Sequence, residues 1–154
     1  MGAVPGAPVF NKERAMIWRS WTRYRDVGLL ILRVGIGGMF VLHGLPKLLA
    51  GPELWQKLGG AVGLYGIHFA PTFWGFMAGL AECGGGVLLM LGLAFRPALL
   101  FMLFVMVTAA TGHITRDVSS WKDFAYRAGH AVEMGILFLS LLLIGPGKYS
   151  IDRE

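Results

Sequence analysis

A single cysteine, Cys83, is all the thiol chemistry this 154-residue chain holds, so no disulfide can close within it and no Cys-x-x-Cys redox pair exists. Charge is scarce too. Asp, Glu, Lys and Arg make up 15% of the residues, against about a quarter in a soluble domain. What replaces charge is apolar: 55% of residues are hydrophobic and the mean hydropathy is +0.61. Those values exclude an ordinary soluble domain and point to one compact membrane domain. Glycine, by contrast, is abundant at 23 residues. So many glycines would weaken helices in water, but in a bilayer they let helix backbones approach closely. No internal repeat or low-complexity tract is present in the sequence.

The net charge of +5 does not read as a nucleic-acid footprint, because the basic residues crowd ahead of the first apolar run instead of interleaving with aromatics along a fold. Anionic lipid is the expected partner of that segment. Residues 1–26 contain Met16, Ile17, Trp18, Trp21 and Tyr24 among Lys12, Arg14, Arg19, Arg23 and Arg25, the pattern of a helix lying in the membrane interface. The segment lacks a small-residue cleavage site, so it is not expected to be a removable signal.

Four apolar stretches, 27–49, 71–93, 97–115 and 124–144, each come near the ~20 residues a helix needs to cross ~30 Å of hydrocarbon. The predicted fold is therefore all-α, an integral membrane four-helix bundle with an amino-terminal interfacial helix. Pro71 and Pro97 suit first helical turns, Ser120 with Asp123 resembles a capping box, and Gly145-Pro146 marks a stop. The basic bias predicts both termini in the cytoplasm. The connection 50–70 carries Leu54, Trp55, Leu58, Val62 and Tyr65. It is too apolar for a solvated loop and too short for a span, so it is expected to form an interfacial lid.

The informative residues are ionisable ones inside the spans, where a charge near the bilayer centre costs ~2.5–3.5 kcal/mol and must be paired, neutral or functional. They are Arg33, His43 and Lys47 in the first span, Glu82 in the second, His113 in the third, and His130 and Glu133 in the fourth. Helical rise and the alternating direction of the spans put His43, Lys47, His113 and His130 toward the external side, Glu82 and Glu133 near the middle, and Arg33 in the cytoplasmic half. Arg33 and Lys47 share one helix face with Gly37 and Gly44, while Gly79 and Gly86 flank Glu82. Small residues beside polar ones are the seam expected of a membrane bundle. Pro46 removes a partner from the Leu42 carbonyl and favours a kink beside His43.

Each group also has a plain structural reading. Arg33 with Glu82 makes a buried ion pair, Lys47 snorkels to the interface, the histidines are hydrogen-bonded packing residues, and Cys83 is a small core residue. His130 and Glu133, three apart on one face, suit proton exchange beside a redox ligand. Three histidines from three helices leave copper or haem open, but without a repeated Glu-x-x-His set no metal site is expected. Gly84-Gly85-Gly86 lacks the strand-turn-helix setting of a phosphate loop.

Taken in order, Leu32-Arg33-Val34-Gly35, Phe40-Val41-Leu42-His43-Gly44 with Lys47, Ala81-Glu82 with Gly84-Gly85, Leu91-Gly92-Leu93, and Gly145-Pro146-Gly147-Lys148-Tyr149-Ser150-Ile151-Asp152 resemble the DoxX family. The likeness spans about residues 29–152, within a four-span DoxX-like domain over 27–152. It implies a multi-pass protein of a bacterial or archaeal cytoplasmic membrane, associated with quinone-linked or thiol-linked redox systems such as thiosulfate:quinone oxidoreductase. Arg33, His43, Lys47 and Glu82 match the family pattern, while His130 and Glu133 are nominated on physical grounds alone.

The expected role is a membrane subunit of a quinone-linked oxidoreductase. His130, Glu133 and Glu82 would act as proton-transferring groups, and His43, Lys47, His113 and Arg33 would hold a quinone. Other subunits of a redox complex are the expected partners, and no covalently bound cofactor is expected. A noncatalytic assembly or anchoring subunit and a small transporter are the alternatives.

Overall fold

The computed structural model describes residues 24–117 and 119–152, with no side-chain description at 117. The expected interfacial helix over 1–26 lies almost wholly outside the described residues. Among the described residues, four helices are long and apolar enough to cross a membrane: α1 (Arg25–Leu49), α3 (Pro71–Leu91), α4 (Phe95–Asp117) and α5 (Trp121–Ile144). Between α1 and α3 lies a short helix, α2 (Pro52–Gly59), followed by a 3-10 turn at Gly60–Tyr65. The described residues contain no strand.

The punctuation falls where the residue chemistry placed it. Pro71 begins α3, and Pro97 lies in the first turn of α4, where its missing N–H leaves no gap in the ladder. At the start of α5 the Asp123 amide donates to Ser120 Oγ at 3.3 Å, and Ser120 Oγ donates back to the Asp123 carboxylate at 2.8 Å. Gly145, at φ 87°, ends α5. Two features differ from expectation. α4 starts two residues earlier, at Phe95, because a remote carboxylate caps it. Residues Phe124–Ala128 of α5 form a π-helical turn, a one-residue offset that apolar periodicity does not display.

Glycine sets how the helices pack. A Cβ on Gly37 would stand 2.6 Å from the Gly86 carbonyl oxygen, and one on Gly86 would stand 2.6 Å from that of Gly37. A Cβ on Gly44 would collide with the backbone of Cys83. α1 and α3 therefore meet backbone to backbone along the seam the sequence predicted, where dispersion and polar contacts hold membrane helices together. α2 lies on α3 in the same manner, since Gly59 faces the Pro71 carbonyl and Gly75 faces that of Trp55. The expected lid is thus a packed helical turn.

α4 packs between α3 and α5. α1 and α5 touch through long side chains, with Phe40 and Phe138 rings 5.0 Å apart, edge to face. Phe40, Leu89, Leu99, Met102 and Phe138 fill the middle of the bundle and are essentially inaccessible.

Candidate functional site

The ionisable residues divide between the two ends of the bundle. At the loop end, where α1 runs into α2, Lys47 Nζ donates to both carboxylate oxygens of Glu82, at 2.7 and 2.6 Å. Glu82 is buried on α3, and Lys47 keeps 34% of its side chain exposed. The α1–α3 glycine contact produces this pair: Gly44 and Cys83 are in touch, so the residue next to Cys83 and the residue three beyond Gly44 come within reach. Trp55 of α2 donates its indole N–H to the Lys47 carbonyl at 2.8 Å and stacks edge to face on Phe76 at 5.0 Å. That fixes the end of α1 beyond Pro46, which the helix passes without ending.

Beside this pair, the exposed rings of His43 (α1) and His130 (α5) lie 6.1 Å apart at the edge where the two helices meet. Both imidazoles face outward, so an apolar molecule moving in the bilayer could reach them. His113 is exposed near the loop end of α4, and it has an interaction of its own. Among the described residues, no group of three or more His, Cys, Asp or Glu is placed to hold a metal ion.

Arg33 is elsewhere. Fourteen residues separate it from Lys47, about 21 Å along the helix, and apolar core lies between. The suggested Arg33–Glu82 pair is not formed, because Glu82 is held by Lys47. Angular position could not choose between the two cations, which share one face; axial depth does. Arg33 is fully buried at the other end of the bundle, where it donates to the Tyr149 carbonyl.

That carbonyl belongs to a clasp the sequence flagged as a motif without assigning it a structure. Residues 145–152 fold back under the bundle. The amides of Ile151 and Asp152 donate to the carbonyls of Leu91 and Gly92, at 3.2 and 2.8 Å. The Asp152 carboxylate accepts from the Phe95 amide at 2.8 Å and caps α4. Ser150 Oγ bonds the carbonyls of Gly147 and Asp152, each at 2.6 Å. Gly92 is required twice over: its φ is 62°, and a Cβ there would collide with Arg33 Nη1.

Glu133 joins neither group. It is exposed on α5, one turn from His130, and it makes no hydrogen bond or ion pair among the described residues. Cys83 is a half-buried free thiol in the α1–α3 contact, which fits a packing role. The nominated residues therefore resolve into a loop-end cluster of His43, Lys47, Glu82 and His130, a terminal-end Arg33, and Glu133 and His113 outside both.

Comparison with known proteins agrees with this architecture. The DoxX family description matches residues 28–114, which include Arg33, His43, Lys47 and Glu82. The chain is 29% identical over 144 residues to inner membrane protein YphA of Escherichia coli (strain K12), covering 84% of this chain and 91% of that protein. It is 30% identical over 135 residues to inner membrane protein YqjF of the same strain, at 85% and 94% coverage. It is also 30% identical over 121 residues to a Bacillus subtilis (strain 168) protein named "Putative oxidoreductase CatD", at 75% and 85% coverage. No solved structure matches. With four apolar spans, a family match over more than half its length and relatives along three quarters of it or more, this chain is a multi-pass membrane protein that belongs to the DoxX family.

Proposed function

We propose that this protein is the membrane subunit of a quinone-linked oxidoreductase, with the loop-end cluster as its quinone and proton site on the external face of the membrane. One observation carries the reading. Two outward-facing imidazoles, His43 and His130, stand at a bilayer-accessible edge on the same end of the bundle as the ion pair of half-buried Lys47 with buried Glu82.

The residues fit a quinone headgroup. An imidazole N–H can donate to a carbonyl oxygen, the opening is to lipid, and Trp55, the single aromatic of α2, packs on Phe76 next to the Lys47 end of α1. A quinone supplies two-electron, two-proton chemistry when bound. His43 and His130 would orient its oxygens and hold or release protons at their ring nitrogens. The Lys47–Glu82 pair would fix α1 against α3 so that His43 keeps its place. The name of the Bacillus subtilis relative supports a redox setting, and partner subunits would supply the electron-transferring centre.

A noncatalytic assembly role is the second reading. It is favoured by the Lys47–Glu82 pair itself, whose charges satisfy each other without a ligand. A single-copy transporter is disfavoured by the packed apolar residues that separate the loop end from Arg33.

The test is quinol turnover in membranes carrying His43→Ala, His130→Ala and the double variant in place of the native chain. The first reading expects a loss of about 100-fold, the lower range for a positioned acid–base group, with yield and melting temperature unchanged. Full turnover in the folded double variant, together with loss of turnover when the chain is deleted, would establish the assembly role instead.

A further inference from the structure

In its α-helical part, Gly129–Ile144, α5 carries three side chains with polar groups: His130, Glu133 and Ser140. All three are exposed, while Ala131, Phe138 and Leu141 occupy the core. For a membrane helix that is inverted, since ionisable residues within spans face the bundle interior or a water-filled cavity. Ser140 is accommodated, because its hydroxyl donates to the Ile136 carbonyl at 2.8 Å. Glu133 is not. It sits twelve residues from Trp121 and eleven from Ile144, at mid-depth, with its carboxyl turned outward. Lipid there offers no hydrogen-bond partner.

We infer that this face of α5 is the contact between two copies of the chain, in which His130 of each copy pairs with Glu133 of the other. At about 100° per residue, His130, Glu133, Leu137, Ser140 and Ile144 fall within about 80° of one another. Their 3- and 4-residue spacing is that of a coiled-coil seam, in which polar positions set register. All copies of a membrane protein insert with one orientation, so a twofold axis along the membrane normal brings equal depths together. The acid and the imidazole are offset by three residues, about 4.5 Å, and helix axes pack about 8–10 Å apart. The glutamate and imidazole side chains, extended toward each other from the two helices, close that gap together.

A single twofold operation thus gives each Glu133 a partner and closes two reciprocal contacts using only residues this chain possesses. A foreign helix would have to supply a donor at the same depth. The exposed face of α1, with Ile31, Gly35 and Leu42, is apolar and lipid can cover it at no cost, so it does not compete. This inference does not depend on the redox reading, and the two meet only at His130, where one ring nitrogen would pair with Glu133 of the second copy and the other would stay at the edge beside His43.

Disulfide trapping in native membranes tests it. In a Cys83→Ser background, Leu137→Cys and Ser140→Cys are compared with Ile31→Cys on α1 and Phe101→Cys on α4, both exposed positions. The expected result is a cross-linked species of twice the chain mass at 137 and 140, at least 10-fold more abundant than at 31 and 101. The Glu133→Leu variant, analysed by native mass spectrometry from lipid nanodiscs, should raise the dimer dissociation constant at least 10-fold while its melting temperature holds. Equal trapping at all four positions, trapping to a different protein, or an unchanged dimer in Glu133→Leu would overturn the proposal. Quinol turnover is not read in these assays, so their failure leaves the redox reading to its own test.

Discussion

The two ends of the bundle hold their buried charges by different means. At the terminal end, Arg33 is enclosed by main-chain groups: the Tyr149 carbonyl, the tight turn at Gly92 and a clasp hydrogen-bonded to the end of α3 and the start of α4. At the loop end, the buried charge of Glu82 is met by another side chain, Lys47, and two imidazoles beside it stay exposed. A cation wrapped in backbone is fixed wherever the backbone is fixed, and here Nη2 alone has a partner while Arg33 Nε and Nη1 are buried without one among the described residues. A cluster of side chains next to lipid can exchange protons and partners. The closed end is therefore architecture, and the open end is where chemistry has room.

That contrast can be broken most sharply at Glu82. Glu82→Ala leaves Lys47 without its counter-charge, and stability should fall by about 3–5 kcal/mol. Adding Lys47→Ala should recover part of the loss, read as a double-mutant cycle on thermal unfolding in detergent. A smaller loss from the double variant than from Glu82→Ala alone is the sign that the pair, and not the packing of either side chain, supplies the term.

Next in size is Gly44→Val, which pushes α1 off Cys83 and should cost about 1–3 kcal/mol by overpacking. On the proposed quinone reading it should lower turnover too, because the seam positions both Lys47 and His43. Asp152→Ala probes the closed end. Loss of the cap on the Phe95 amide should lower stability by about 0.5–2 kcal/mol and, on the proposed quinone reading, leave turnover unchanged. The smallest stability effect belongs to His43→Gln, an exposed replacement expected to stay within about 0.5 kcal/mol of the native protein. If turnover nevertheless collapses in that variant, the division between a structural end and a chemical end is sharpened to one residue.

Much of this could be read before the fold. Helix ends followed from Pro71, Ser120, Asp123 and Gly145, and the close seam followed from Gly37, Gly44 and Gly86, because caps and small residues act within a turn or two of themselves. The partner of Glu82 could not be read. Arg33 and Lys47 lie on the same face of one helix, and only the register of α1 against α3 shows which of them reaches the carboxylate. The π-helical turn before His130 was equally hidden, since one extra residue per turn leaves no mark on an apolar pattern. The clasp was visible as a motif but silent as a structure, because its hydrogen bonds run between main-chain atoms distant in sequence.

The sequence by itself determined that the described residues hold four helices long and apolar enough to cross a membrane, where several of those helices end, and which family the chain belongs to. Apolar length, capping groups and ordered motifs are properties of one segment at a time. Only the tertiary structure decided that Lys47 holds Glu82, that His43 meets His130 while Arg33 is sealed in at the opposite end, and that Glu133 faces outward. Each of those outcomes depends on the depth and rotation of one helix relative to another, and these are set by backbone contact at a few glycines and by the clasp, not by the local chemistry of the residues themselves.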